Sequence, residues 1–103
     1  MKIMAALSHA NVVRYYDSFL EGNQLQIIME YCDSGDLQKF LKKSEKEGIL
    51  PEESMIWRFF IQICVALHYL HSQRILHRDI KSANIFMTRV RAKAYVFVCV
   101  GVL

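Results

Sequence analysis

No run of like charge in this sequence is longer than the pair Lys42-Lys43. Its 13 basic residues are interspersed with 10 acidic ones for a net charge of +3, too small and too dispersed to mark a nucleic-acid surface. Long apolar runs are missing too. The longest, residues 94–103, is half of the roughly 20 residues that span a bilayer as a helix, so no transmembrane segment is expected. The apolar stretch from Ile3 to Leu7 that follows Lys2 falls short of the roughly 7–15 residues of an export core, and no secretion is expected. Cysteine is scarce: Cys32, Cys64 and Cys99 are odd in number and widely spaced. That fits neither a disulfide framework nor a Cys-x-x-Cys metal site and points to a reducing compartment. What remains is 103 residues, 53% hydrophobic and 22% charged, the balance of one small globular domain with a modest core.

Ile3, Met4 and Leu7 fall at helical spacing, which His9-Ala10-Asn11 breaks. From Val12 to Leu20 the residues are β-branched and aromatic, Glu21-Gly22-Asn23 supplies turn chemistry, and Gln24 to Tyr31 is strand-like again, a pattern that predicts an antiparallel hairpin. After Asp33-Ser34-Gly35-Asp36, Leu37, Phe40 and Leu41 mark a short amphipathic helix with Lys39, Lys42, Lys43 and Glu45 outward and Gly48 at its end. Pro51 suits a first helical position, Glu52 and Glu53 suit the positive end of the helix dipole, and a long helix is predicted to about Ser72. Its expected apolar face is Ile56, Phe59, Phe60, Ile63, Leu67 and Leu70. Ile85-Phe86-Met87 reads as a brief strand. Tyr95 to Val100 is a continuous β-prone run, uncharged and without proline, and is expected to be an aggregation segment.

The chemically informative stretch is His77-Arg78-Asp79-Ile80-Lys81-Ser82-Ala83-Asn84, which matches the protein-kinase catalytic-loop pattern H-R-D-x-x-x-x-N. With Ile28-Met29-Glu30-Tyr31-Cys32, Gly35-Asp36-Leu37, and the run from Leu70 to Ile85, the chain resembles eukaryotic serine/threonine protein kinases of the NIMA-related group. The resemblance covers residues 1 to about 87. It implies an α+β, partial protein-kinase-like fold: a small-lobe remnant at 1–31, the hinge and start of the large lobe at 32–87, and a divergent hydrophobic tail at 88–103. It also implies roles. Asp79 would orient a substrate hydroxyl and accept its proton, Lys81 would place positive charge near the transferring phosphoryl group, and Asn84 would ligate magnesium through oxygen. Lys81 favours serine/threonine over tyrosine specificity. His77 would pack the loop against the core, and Arg78 would await a phosphate on an activation loop. Met29 matches the gatekeeper, the backbones of Glu30 and Cys32 would meet the adenine edge, and Asp36 would reach toward the ribose. ATP and Mg2+ are the family's cofactors and proteins its substrates. Kinase-associated proteins are the further partners to expect, with no nucleic acid and no membrane, in the cytoplasm or at nuclear, centrosomal or ciliary sites.

The same resemblance makes the gaps informative. Gly22, Gly35, Gly48 and Gly101 are too far apart for a G-x-G-x-x-G phosphate-covering loop, and no lysine–glutamate pair precedes the hairpin. The family pattern expects a turn and a strand leading to D-F-G where the chain runs from Thr88 to Leu103, yet Asp79 is the last acidic residue. The expectation is therefore ATP-dependent phosphoryl transfer to serine or threonine by lineage, in a form inactive alone. The alternatives are a non-catalytic interaction or dominant-negative fragment, or an unstable by-product. The long helix, expected to lack its usual helical cover, would leave six large side chains partly wet, each forgoing about 1.5–3 kcal/mol. His68 and His71 stand i, i+3 without a third metal ligand nearby. Trp57, Phe59 and Phe60 are expected in the core rather than in a ligand cage.

Overall fold

In the structure, a computed structural model, residues 6–90 and 93–100 are described. Ile3 and Met4 of the expected N-terminal helix lie outside them, while Leu7 is buried in the core. The first hairpin forms as the pattern predicts: β1 (Tyr15–Glu21) pairs antiparallel with β2 (Gln24–Met29), with Glu21 opposite Gln24. Gly22 takes φ 64° in the two-residue turn, a left-handed conformation that glycine adopts without steric cost.

Helix α1 (Leu37–Glu47) is bounded by its caps. Asp36 Oδ1 accepts the Lys39 N–H at 2.9 Å, and Gly48 closes the other end at φ 67° with its N–H on Glu45 O. These two residues satisfy backbone groups that a helix end leaves without intrahelical partners. The long helix α2 (Glu53–Ser72) starts after Glu52 in extended conformation, so Pro51 precedes the helix instead of opening it. It stops at Gln73, where Arg74 turns left-handed at φ 61°.

The second hairpin is where structure and sequence diverge most. β3 (Ile85–Val90) runs beyond the three residues expected, and β4 (Lys93–Val98) pairs with it antiparallel, Met87 opposite Val96 and Ile85 opposite Val98. Along β4 and its extension Ala94, Val96, Val98 and Val100 are buried, while Tyr95 is exposed and Phe97 and Cys99 are half-buried. The expected aggregation segment is thus an alternating strand whose inner face meets α2 and joins Phe59, Ala66, Leu70, Ile85 and Met87 in one core. A run apolar at every position hides this alternation from a reading of periodicity.

This packing also corrects the apolar face of α2. Phe59 and Leu70 are buried and Ile63 and Leu67 pack partly against the core, but Ile56 and Phe60 stay more than half exposed at 53% and 55%. Trp57 is exposed as well, in an edge-on pair with Phe60 at 5.8 Å, so of the three aromatics expected in the core only Phe59 enters it. β4 covers one stripe of α2, and of the six side chains expected to be partly wet only Ile56 and Phe60 are more than half exposed.

Candidate active site

The 3₁₀ turn Ser82–Asn84 leads straight into β3, and this anchors the end of the catalytic-loop octet to the core hairpin. Within the octet the structure brings Asp79, Lys81 and Asn84 together. Asn84 Nδ2 donates to the Asp79 carbonyl at 2.9 Å and to Asp79 Oδ2 at 3.1 Å. Lys81 Nζ stands 3.6 Å from the same Oδ2, both side chains largely exposed. Such an open ion pair contributes at most about 1 kcal/mol, so its significance is positional. Oδ2 is held by the amide and the ammonium, and Oδ1 is the oxygen left for a hydroxyl. Because the Asn84 amide nitrogen faces Asp79, its carbonyl oxygen is the atom that can face a cation.

His77 joins this loop to the end of β4. Its Nδ1 accepts the Asp79 backbone N–H at 3.1 Å, and its Nε2 lies 2.6 Å from the Cys99 carbonyl. A carbonyl only accepts, so the bond pattern assigns the ring proton to Nε2. Cys99 N–H in turn donates to Asn84 O at 2.9 Å. Arg78, between His77 and Asp79, has φ 69°. The sequence suggests that His77 packs, but it does not show the backbone partner, since carbonyls carry no sequence signature.

The residues assigned to the nucleotide lie at the end of β2 and on the segment that follows it. Met29 ends β2 opposite Tyr15 and packs partly against the core. The Glu30 N–H donates to Arg14 O at 2.7 Å while its Oε1 accepts the Arg14 N–H at 3.2 Å. One of the backbone groups expected to meet adenine therefore already has a partner. Cys32 is half-buried, and its thiol is pushed up to about 11 by burial first, then by the charges of Glu30, Cys99 and Asp33. Asp36 has one oxygen on the α1 cap. The segment is docked beside the catalytic loop: Ser34 N–H donates to Met87 O, Met87 N–H to Gly35 O, and Asp36 bridges Phe86, two residues past Asn84. Thr88 and Ser34 hydroxyls both donate to Asp33 Oδ1, at 2.8 and 3.0 Å, and hold that carboxyl below its ordinary value.

A cavity of about 430 Å³ opens instead among Ser8, His9, Ala10, Arg14, Tyr16 and Glu30, so of the residues assigned to the nucleotide it holds only Glu30. Tyr15, buried at the start of β1, donates to the Val100 carbonyl and touches Cys99 Sγ at 3.6 Å. Burial, then the bond to Cys99, raises its phenol well above the ordinary range. Magnesium takes near-octahedral oxygen ligands. Asn84 supplies a fitting side-chain oxygen, but its backbone carbonyl is taken by the Cys99 N–H, the Cys99 thiol lies against Tyr15, and no Asp or Glu follows Asp79, so the donor set fits the ion incompletely. Among the described residues no three His, Cys, Asp or Glu side chains cluster to hold a metal, and no helix is long and apolar enough to cross a membrane.

The protein kinase domain family matches residues 1–97, ten residues beyond where the sequence resemblance was expected to stop. Serine/threonine-protein kinase Nek1 of Mus musculus is 46% identical over 87 residues, covering 84% of this chain and 7% of that protein. Nek3 of Mus musculus is 43% identical over 86 residues, covering 84% of the chain and 16% of that protein. The probable serine/threonine-protein kinase nek2 of Dictyostelium discoideum is 42% identical over 92 residues, covering 84% and 22%. The chain thus spans less than a quarter of the length of each of these three relatives. With its catalytic-loop octet folded against a helix and a core hairpin, the chain belongs to the protein kinase family, in the NIMA-related serine/threonine group.

Proposed function

We propose that this chain carries the proton-accepting part of a serine/threonine phosphoryl-transfer site and does not turn over by itself. The observation that carries the reading is the grouping of Asp79, Lys81 and Asn84 on one exposed loop. Phosphoryl transfer asks the protein mainly to position reactants and to neutralise charge. Asp79 Oδ1 would receive the hydroxyl proton of a protein substrate, Lys81 would face the transferring group, and the Asn84 oxygen would contribute to holding the magnesium of MgATP. Met29, Glu30, Cys32 and Asp36 form the nucleotide-facing segment in this reading.

Inactivity of the chain alone is supported by the end of β4. The backbone that His77 and Asn84 hold there belongs to Cys99, and no carboxylate follows Asp79 among the 103 residues. On this view residues 88–90 and 93–98 keep a kinase-like strand position but not its chemistry. Transfer of labelled γ-phosphate from ATP to a serine/threonine peptide mixture should stay at background. Turnover that disappears in Asp79→Asn would overturn the inactivity and leave the role of Asp79 standing.

A second reading, a non-catalytic interaction fragment, is favoured by the bare face of α2, where Ile56, Trp57, Phe60 and Ile61 are each more than half exposed. Exposed apolar surface of this kind marks association sites. Monomeric behaviour with no kinase-associated protein co-purifying would count against it.

A further inference from the structure

One edge of β4 pairs with β3; the other is closed by residues far away in sequence. Gln62 Oε1, from α2, accepts the Val96 N–H at 2.9 Å and the Asn11 Nδ2 at 3.1 Å. Asn11 Nδ2 also donates to the Val96 carbonyl at 3.1 Å, so both backbone groups of Val96 are held by side chains. Beyond them, Val98 N–H donates to Asn11 O at 2.7 Å and Val13 N–H to Val98 O at 3.0 Å.

Packing alone does not specify the position of this strand. Val96, Val98 and Val100 repeat the same side chain on the same buried face, so a slip by two residues would return like to like while moving the backbone by roughly 6.6 Å. A one-residue slip is opposed by the pleat; a two-residue slip is not. The amide clamp on Val96 grips backbone groups that every second residue of a strand presents, so it does not choose among registers; it ties the outer edge of β4, in the register observed, to α2 and to the Asn11 segment.

We propose that Gln62 and Asn11 are positioning residues for Asp79: by tying the outer edge of β4 to α2 and to the Asn11 segment they hold the Cys99 carbonyl against His77, and the oriented imidazole then holds the Asp79 backbone. The route runs by a hydrogen bond from Gln62 to Val96, through the covalent backbone of the strand to Cys99, and by hydrogen bonds through His77 Nε2 and Nδ1 to the Asp79 N–H. It deepens the proposed function and rests on that reading only in calling Asp79 the proton acceptor. Neither residue stands near the octet in sequence, and neither touches a reacting atom.

Nitrogen-15 NMR of the histidine rings in the whole chain tests this. At neutral to mildly alkaline pH, wild type should show His77 as a single Nε2–H tautomer. Gln62→Met, which keeps the length but removes the acceptor, and Asn11→Asp, which keeps the shape but removes the donor, should both lose the single-tautomer pattern at His77, with His68 and His71 unchanged. Gln62→Glu keeps an acceptor oxygen and should retain the wild-type His77 signals. A merely structural role would lower the urea midpoint in these variants without moving the tautomer. Unchanged His77 signals in Gln62→Met and Asn11→Asp, equal loss in Gln62→Glu, or collapse of the whole fold in both of the first two variants would overturn the proposal. The readout involves no phosphoryl transfer, so its failure leaves the role of Asp79 untouched, and failure of that role leaves the amide clamp in place.

Discussion

The two hairpins of this protein have similar hydrophobic content and opposite fates. In β1–β2 only Tyr15 is buried, and Phe19, Leu20, Leu25 and Ile28 face outward. In β3–β4 the residues Ile85, Met87, Ala94, Val96 and Val98 are all buried. Strand propensity does not separate them. What separates them is a helix to pack on, since α2 lies against β4 and offers nothing comparable to the first hairpin. A strand pair gains most of its stability from the face it covers, and here the pair that looked like an appendage in the sequence is the one holding the molecule together.

Truncating the core pair gives the largest expected effect. Met87→Ala or Leu70→Ala should cost about 2–5 kcal/mol in urea unfolding, whereas Leu20→Ala, 74% exposed in β1, should stay within about 0.5 kcal/mol. Equal losses on the two hairpins would break the comparison. Next come the glycines with positive φ. Gly35→Ala, at φ 73° beside β3, should cost about 1–2 kcal/mol of global stability because an L side chain is strained there. Gly22→Ala meets the same local strain at φ 64°, but hydrogen exchange should show it as fraying confined to β1–β2.

Cysteine alkylation sharpens the contrast between covered and bare surfaces. Cys64, exposed on α2, should label before the half-buried Cys32 and Cys99. Cys32, with its thiol near 11, should be about a thousandth thiolate at pH 8 and should speed up as pH rises. The smallest effect concerns acid. Asp33 has a folded pKa below its ordinary 3.8, so its stabilisation is complete above that value and is lost as pH falls through the lowered one. Thr88→Val removes the hydroxyl bond that is the largest cause of this shift and should flatten the acid limb of the stability profile. An unchanged limb would show that this tie between the hinge and β3 carries no weight.

The parts legible in the sequence are those written in side chains with fixed local meaning. Asp36 and Gly48 bound α1, Gly22 turns the first hairpin, and the octet from His77 to Asn84 folds as a unit. The illegible parts depend on partners distant in sequence. α2 is apolar on more than one side, so periodicity does not choose which stripe faces inward, and Ala66, fully buried, is too small to mark that stripe by its side chain. β4 looked featureless because its outward positions are as apolar as its inward ones. Pro51 fits a helix start by type, but the helix begins two residues later. The links of Gln62 and Asn11 to Val96 involve backbone atoms that every sequence possesses, and nothing in residue identity announces them.

Arg78 carries a consequence of a different kind. Its φ of 69° holds a long-chain residue in a geometry that disfavours L-amino acids by roughly 1–2 kcal/mol, immediately before Asp79. That unfavourable turn endures only while the imidazole on one side and the amide of Asn84 on the other keep the loop closed. The peptide bond after Arg78 is therefore an expected scissile point: when the grip at the end of β4 slackens, this bond should relax into the extended shape that trypsin accepts, and nicking there should report the opening of the loop.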